Sequence, residues 1–203
     1  PYSSLTFQPF EAIDFRLRAF YKNIFRLPTF NDLYYSRVGK RDLKPEDTHQ
    51  FNIGFTYSTS AGDRLLLLTM TTDAYFNKIN NKIVAYPNRN IFEWSMMNFG
   101  SVEICGVDIA LESAFVLSSK VKLLAGSSFT FQDSRNKSNP GSPAYNHQLP
   151  YTPRFSGSGR AVVETPWLNA AYTLLWSGTR YISAQNMPEN RLSGYADHGI
   201  SLS

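Results

Sequence analysis

The stretch Ile24–Gly54, IFRLPTFNDLYYSRVGKRDLKPEDTHQFNIG, decides how the rest of the chain is read. It leaves an alternating segment at Pro28, a residue that cannot donate to a sheet ladder. It then crosses a polar, aromatic-rich loop and returns to alternation after Leu43-Lys44-Pro45-Glu46. Pro28 and Pro45 stiffen the two ends of that loop, because each fixes its own φ. Arg26 and Glu46 are placed to pair across its base, although a pair at a rim contributes only about 0–1 kcal/mol.

Period-two alternation recurs on both sides of this stretch, and helical periodicity is hard to find. Ile13, Phe15, Leu17, Ala19 and Tyr21 share one face against Asp14, Arg16, Arg18 and Lys22, with Phe20 an exception. Phe51, Ile53, Phe55 and Tyr57 oppose Gln50, Asn52, Thr56 and Ser58. Val121, Leu123, Ala125, Phe129 and Phe131 oppose Lys122, Ser128, Thr130 and Gln132. Long strands are predicted over 13–26, 64–79, 101–117, 120–133 and 167–181. A soluble strand averages about 5–6 residues, whereas a tilted membrane strand needs about 9–11.

The breaks between strands carry the strongest signal. Short ones fall at 9–12, 59–63, 118–120 and 165–166; long ones fall at 27–46, 80–100, 134–152 and 182–196. They alternate short, long, short, long along the chain. In an antiparallel meander successive connections lie at opposite ends of the sheet, so the short turns share one rim and the long loops the other. Tight turns on one rim and extended loops on the other is the pattern of outer-membrane β-barrels, whose apolar strand face meets lipid and whose polar face lines a wet lumen. The sequence thus predicts an all-β, antiparallel meander of about nine long strands, part of a larger transmembrane barrel. Nine strands are odd for a closed bacterial barrel, and HGISLS at residues 198–203 reads as strand to its end.

Composition narrows the function classes. The net charge is +4 with a pI near 9.2, but the Lys and Arg are scattered and no nucleic-acid motif is present, so no nucleic-acid partner is expected. Cys105 is the single cysteine, which excludes an intrachain disulfide. No apolar run exceeds four residues, far short of a membrane helix. His49, His147 and His198 are too scattered to argue a metal site. No paired carboxylates, Ser–His–Asp set or nucleophile elbow stands out, Gly157-Ser158-Gly159 lying within a strand. Neither a catalytic residue, a cofactor nor a metal is expected.

Three motifs in order then point to a family. Phe25-Arg26-Leu27-Pro28 with Asp32-Leu33-Tyr34, followed by Leu43-Lys44-Pro45-Glu46, resembles the FR-x-P…[ED]-L-Y…L-x-PE segment of TonB-dependent outer-membrane receptors. Asn98, Gly100, Gly106 and Asp108 resemble the family's N-x-G-x5-G-x-[ED]. Leu149-Pro150-Tyr151-Thr152-Pro153-Arg154 resembles its later P-x-x-P-[RH] segment. Two departures stand out: Lys40-Arg41-Asp42 where the family often has Asn-Pro, and Asn52 where it commonly has Glu. The resemblance implies a plugged barrel of about 22 strands in the outer membrane of a Gram-negative cell. Residues 1–203 would form part of that barrel, with the plug domain and terminal strands outside this chain.

It also implies uptake of a scarce nutrient of the cobalamin or iron–siderophore class, driven by the TonB complex acting on the plug. The segment 81–100 is most similar to the cobalamin branch. Tyr34, Tyr35, Arg37, Tyr86, Trp94, Met96, Met97 and Tyr145 are the candidate outer-loop ligand contacts, since flat rings and soft sulfur suit a large amphipathic chelate. An interfacial girdle or plain loop packing accounts for the same aromatics. Arg16 and Arg18 are expected to face the lumen. Two readings from other classes compete, a soluble β-sandwich binding module and an outer-membrane enzyme. Expressed alone, a segment with two open sheet edges is expected to self-associate.

Overall fold

The computed structural model describes residues 1–87 and 93–203, with the side chains of residues 86, 87 and 99 outside that description. Nine strands form one antiparallel sheet in chain order. They are β1 (Tyr2–Phe7), β2 (Asp14–Arg26), β3 (Glu46–Ala61), β4 (Leu65–Pro87), β5 (Trp94–Ser118), β6 (Val121–Asn136), β7 (Phe155–Glu164), β8 (Asn169–Ser177) and β11 (Tyr195–Leu202). A short ribbon of β9 (Arg180–Tyr181) and β10 (Arg191–Leu192) sits inside the last long loop, and one five-residue helix, α1 (Phe30–Tyr34), sits inside the first. Among the described residues β1 and β11 are the two edges of the sheet and do not pair with each other.

The register sorts side chains into two faces. Leu17, Phe55, Thr72, Ile109 and Phe129 lie in one cross-strand row, and Ala19, Ile53, Ala74, Val107 and Phe131 in the next on the same face. The opposite face carries the row Arg18, Gly54, Asp73, Asp108 and Thr130. One row is therefore almost wholly apolar and the other charged or hydroxylated, as a barrel wall between lipid and water requires.

Two glycines admit large neighbours on the polar face. A Cβ on Gly106 would lie 2.5 Å from the Tyr75 ring and 2.6 Å from the Phe131 carbonyl oxygen, and one on Gly54 would strike the Asp73 carboxylate. Tyr75 thus lies across β5 and donates from its hydroxyl to Gln132 Oε1 at 3.3 Å. Asp73 lies across β3 and takes the Arg18 guanidinium, with Nε at 3.1 Å from Oδ1, while Arg18 Nη1 donates to Thr56 at 2.9 Å.

The sheet differs from the sequence expectation at the 80–100 connection. β4 runs on to Pro87 and β5 starts at Trp94, so much of that segment is a strand hairpin. The ladder passes over Asn81, whose φ is 55°, and resumes in the same register at Lys82 opposite Phe99. A left-handed residue interrupts the alternation of side chains, which is why the period is lost at that point in the sequence. At the other end, the strand expected over 167–181 ends at Ser177 and its last residues enter the small ribbon. The expected wide loop over 27–46 contains α1, closed by a capping box between Thr29 and Asp32.

Among the described residues one buried apolar cluster forms. Ile79, Val102, Leu149 and Ala184 form a buried cluster, with Val102 fully buried. Ile79 and Val102 are strand residues near the long-loop end, on the polar face, whereas Leu149 and Ala184 come from the loops 137–154 and 178–194. These two loops fold over the sheet at that rim.

Candidate functional site: the long-loop rim

The first long loop is fixed at both ends and in the middle. Asp32, almost buried, accepts from the Thr29 amide and from Arg26 Nη2, each at 2.9 Å. Arg26 also reaches Glu46 at 3.5 Å, the pair anticipated across the base. The same Glu46 oxygen accepts from the Ile83 amide at 3.1 Å, tying the loop's exit to the next hairpin. Asn98 completes the clamp. Its Oδ1 accepts from the Lys44 amide at 2.8 Å, and its Nδ2 donates to the carbonyls of Lys44 at 3.0 Å and of Asn81 at 2.7 Å. Halfway along the loop, the Met96 amide donates to the Val38 carbonyl at 2.7 Å.

The motif residues thus acquire physical tasks. Leu43 is buried under the loop. Asn98 satisfies the backbone of Lys44 and the carbonyl of left-handed Asn81. Gly100 leaves room for Ser138, whose hydroxyl would sit 3.2 Å from any Cβ placed there and which bonds the backbone of Ser101. Asp108 lies on the polar face beside Arg18 and Asp73 in the register row.

The third and fourth long loops are joined to each other. Asn186 accepts from the Gln148 amide at 2.7 Å and donates to the Gln148 carbonyl at 3.0 Å, and the Tyr151 amide donates to the Tyr181 carbonyl at 2.7 Å. Beneath this joint lies a cavity of about 280 Å³ lined by Val84, Ile104, Leu149 and Tyr151, with Lys82, Gln132, Ser134 and Thr152 as polar members. A space of this size, walled by apolar side chains with a few polar groups, is at the small end of ligand pockets.

The candidate contacts divide into separate groups on this rim. Tyr34 and Tyr35 are exposed on the first loop, where the Phe30 ring packs tilted against Tyr34 at 4.9 Å and the Arg41 guanidinium lies 5.5 Å from the Tyr34 ring. Arg37 follows with φ of 71°. Trp94 meets the ring of Tyr151 at 6.2 Å, and Met96, half-buried, stands two residues along β5. Tyr145 instead lies against the Lys137 ammonium at 5.6 Å. The side chain of Tyr86 lies outside the described residues, although its backbone pairs with Ser95. Tyr151 is a rim aromatic that the sequence reading passed over; its signal was the flanking Pro150 and Pro153, which hold a tight turn with Tyr151 at φ 58°. Arg16 pairs with Asp14 at 3.0 Å, and Arg18 with Asp73. His49 and His198 share hydrogen bonds with Tyr21 and Tyr172, at 2.8 and 2.7 Å. Among the described residues no three His, Cys, Asp or Glu side chains cluster as a metal site.

A wall of long antiparallel strands with one apolar and one wet face, bearing anchored loops on a single rim, defines a segment of a transmembrane β-barrel receptor. Residues 1–203 match the family described as TonB dependent receptor-like, beta-barrel, and the chain belongs to that family. It is 30% identical over 115 residues to a vitamin B12 transporter, BtuB, of Vibrio vulnificus (strain YJ016), an alignment covering 56% of this chain and 17% of that protein. In structure it is similar to the siderophore receptor PiuA from Acinetobacter baumannii, with a TM-score of 0.69 at 16% identity over 99% of this chain and 28% of that one. It is likewise similar to the copper transporter OprC, with a TM-score of 0.68 at 15% identity over 95% of this chain and 29% of that one. The chain therefore spans less than a third of the length of each of these proteins.

Proposed function

We propose that this chain is part of the wall and outer rim of an outer-membrane importer of a Gram-negative cell, which takes up a scarce nutrient of the cobalamin or ferric-siderophore class. The observation that carries this reading is the rim itself. Three long loops are fixed there by side chain–backbone clamps, above a sheet with one polar face, in a chain of the TonB-dependent receptor family. The names of its relatives include a vitamin B12 transporter and a siderophore receptor. In this reading Arg16 and Arg18 face the lumen, a plug domain elsewhere in the protein couples to TonB, and the apolar strand face meets membrane lipid. Tyr34, Tyr35, Arg37, Tyr86, Trp94, Met96 and Tyr145, with Tyr151 added, supply the outer contacts to the nutrient.

The test is uptake by the intact receptor in a Gram-negative host lacking its own cobalamin and siderophore receptors. Labelled cyanocobalamin and a panel of ferric siderophores are offered with and without functional TonB. The expected result is TonB-dependent accumulation of one class, weakened about tenfold in apparent affinity by Trp94→Ala or Tyr151→Ala. Accumulation of neither class, or uptake indifferent to TonB, overturns the reading.

A further inference from the structure

We infer that the apolar flank of β6 and β7, just below the long-loop rim, binds the phosphate of an outer-leaflet lipid through Arg135, Lys137 and Arg154. The inference rests on the proposed function only in assigning that rim to the outer leaflet.

Toward the long-loop rim the apolar strand face gives way to polar and charged side chains, with Phe25 beyond them on β2. Going toward the long-loop rim, Tyr21 is followed on the same face by Asn23 on β2, Phe51 by His49 on β3, and Phe76 by Lys78 on β4. On β5 Cys105 gives way to Glu103, and on β6 Phe131 gives way to Asp133 and Arg135. An aromatic closes the apolar column on four of these five strands, which is the girdle that marks the edge of the hydrocarbon. The charged residues one step beyond it therefore sit at the depth of lipid headgroups.

The charges are unequal across that belt. Asp133 is shared by two arginines, with Arg135 Nε at 2.8 Å and Arg154 Nε at 3.3 Å. Arg135 Nη1 donates to the Asn146 carbonyl at 2.7 Å, and Lys137 Nζ donates to the Asn146 side-chain oxygen at 2.8 Å. Left-handed Asn146 thus gathers Arg135 and Lys137, as Asp133 gathers Arg135 and Arg154. Glu103 stands opposite Arg135 in the register, with Lys78 on its far side. Four cations, Lys78, Arg135, Lys137 and Arg154, share the belt with three carboxylates, Asp47, Glu103 and Asp133. Asp47 is taken up at the β2–β3 end by His49 and Asn23, so the excess of positive charge is concentrated at the β6–β7 end.

The guanidinium of Arg154 lies within ion-pair distance of Asp133 through Nε, and its side chain is more than two-fifths exposed, which leaves its terminal nitrogens open to an anion. Paired arginine nitrogens match phosphate oxygens, and charge-assisted bonds of this kind are the strong ones. Directly below lie Phe129, Phe131 and Phe155, packed at ring distances of 5.3 and 6.2 Å, with Phe129 and Phe155 about two-fifths exposed. A headgroup phosphate on the arginines puts its acyl chains on these rings. A free anion uses only half of the site, so the ligand is a phosphate-bearing lipid. Basic clusters beside a hydrocarbon edge recognise such headgroups on general electrostatic grounds.

The intact receptor is placed in phosphatidylcholine nanodiscs doped with phosphatidic acid or, separately, with diacylglycerol, and retained lipid is counted by native mass spectrometry. Lys137→Gln/Arg154→Gln leaves the Arg135–Asp133 pair in place; Lys120→Gln/Lys122→Gln removes the same charge beside the opposite rim. The first variant is expected to retain at least fivefold fewer phosphatidic acid molecules, with diacylglycerol unchanged and the second variant like the parent. Should the double variant not insert, Arg154→Gln alone is expected to lose at least twofold, with Arg154→Lys closer to the parent. Equal retention by the charge-depleted site, an equal loss in the opposite-rim variant, or complete displacement by inorganic phosphate overturns the inference. Nutrient uptake is scored separately in Arg154→Gln and in the opposite-rim variant, neither of which touches a proposed nutrient contact, and is expected at parental rates. Failed uptake in the parent with the lipid difference intact counts against the proposed function alone; unchanged lipid retention with normal uptake counts against the lipid site alone.

Discussion

Replacing Asn98 with alanine removes three hydrogen bonds: those to the Lys44 amide, the Lys44 carbonyl and the Asn81 carbonyl. Each is worth about 0.5–1.5 kcal/mol net. The two at Lys44 are exposed enough for water to replace part of their strength, whereas the one at Asn81 is half-buried, so the loss is about 2 kcal/mol in total. At 1.36 kcal/mol per tenfold, this increases local opening of the first loop by about 30-fold. Hydrogen exchange on the intact receptor reads it directly. The Lys44 amide exchanges about 30-fold faster, and the Met96 amide, bonded to Val38 in the same loop, follows it. Asn98→Asp keeps the acceptor for the Lys44 amide but sets a carboxylate against two carbonyl oxygens, so it loosens the loop at least as much. A change below threefold at Lys44 in both variants would refute the clamp.

Other perturbations have comparably definite outcomes. Gly106→Ala forces a methyl into the Tyr75 ring and the Phe131 carbonyl, and overpacking of this kind costs about 1–3 kcal/mol; the intact barrel should lose its heat-resistant gel mobility at a lower temperature, with Gly126→Ala, which meets only one atom at 3.8 Å, as the tolerated comparison. Asp32→Ala deletes the capping box of α1 and the partner of Arg26, a loss of about 1–2 kcal/mol, seen as protease cleavage within residues 27–45 while the strands stay protected. Asn186→Ala removes both bonds to Gln148 and leaves the Tyr151–Tyr181 backbone bond between the two loops, so cleavage within 137–154 should accelerate with no change in barrel melting. The 203-residue chain made alone has, among its described residues, two unpaired strand edges and a wide apolar face, and sedimentation should find it associated; a clean dilute monomer contradicts this.

Much of the architecture was legible because a barrel wall writes itself in period two. The column Phe51–Tyr57 alternates without error, Phe15–Tyr21 breaks only at Phe20, and the short-long rhythm of connections orders the rims. Legibility failed where a residue leaves the β region. Asn81 at φ 55° hid the extension of β4, and the left-handed Tyr151 concealed a rim aromatic inside what reads as an ordinary Pro-rich turn. α1 is too short to show a helical period, although Thr29 and Asp32 three residues apart were its readable cap. The site proper is made of long-range contacts. Asn98 reaches Lys44 across 54 residues of chain, and Asn186 reaches Gln148 across 38. A motif can flag Asn98, but only the fold shows that its amide serves two carbonyls and an amide from separate segments.

The central claim is that the long loops share one rim and that this rim faces the cell exterior. With Cys105 replaced by serine, single cysteines at Ser36 and Ser142 on long loops and at Ser119 on a short turn can be probed in intact cells producing the whole receptor. A membrane-impermeant maleimide should label Ser36→Cys and Ser142→Cys on intact cells, and Ser119→Cys only after the outer membrane is opened. Labelling of Ser119→Cys on intact cells while the two loop positions stay protected would contradict the account.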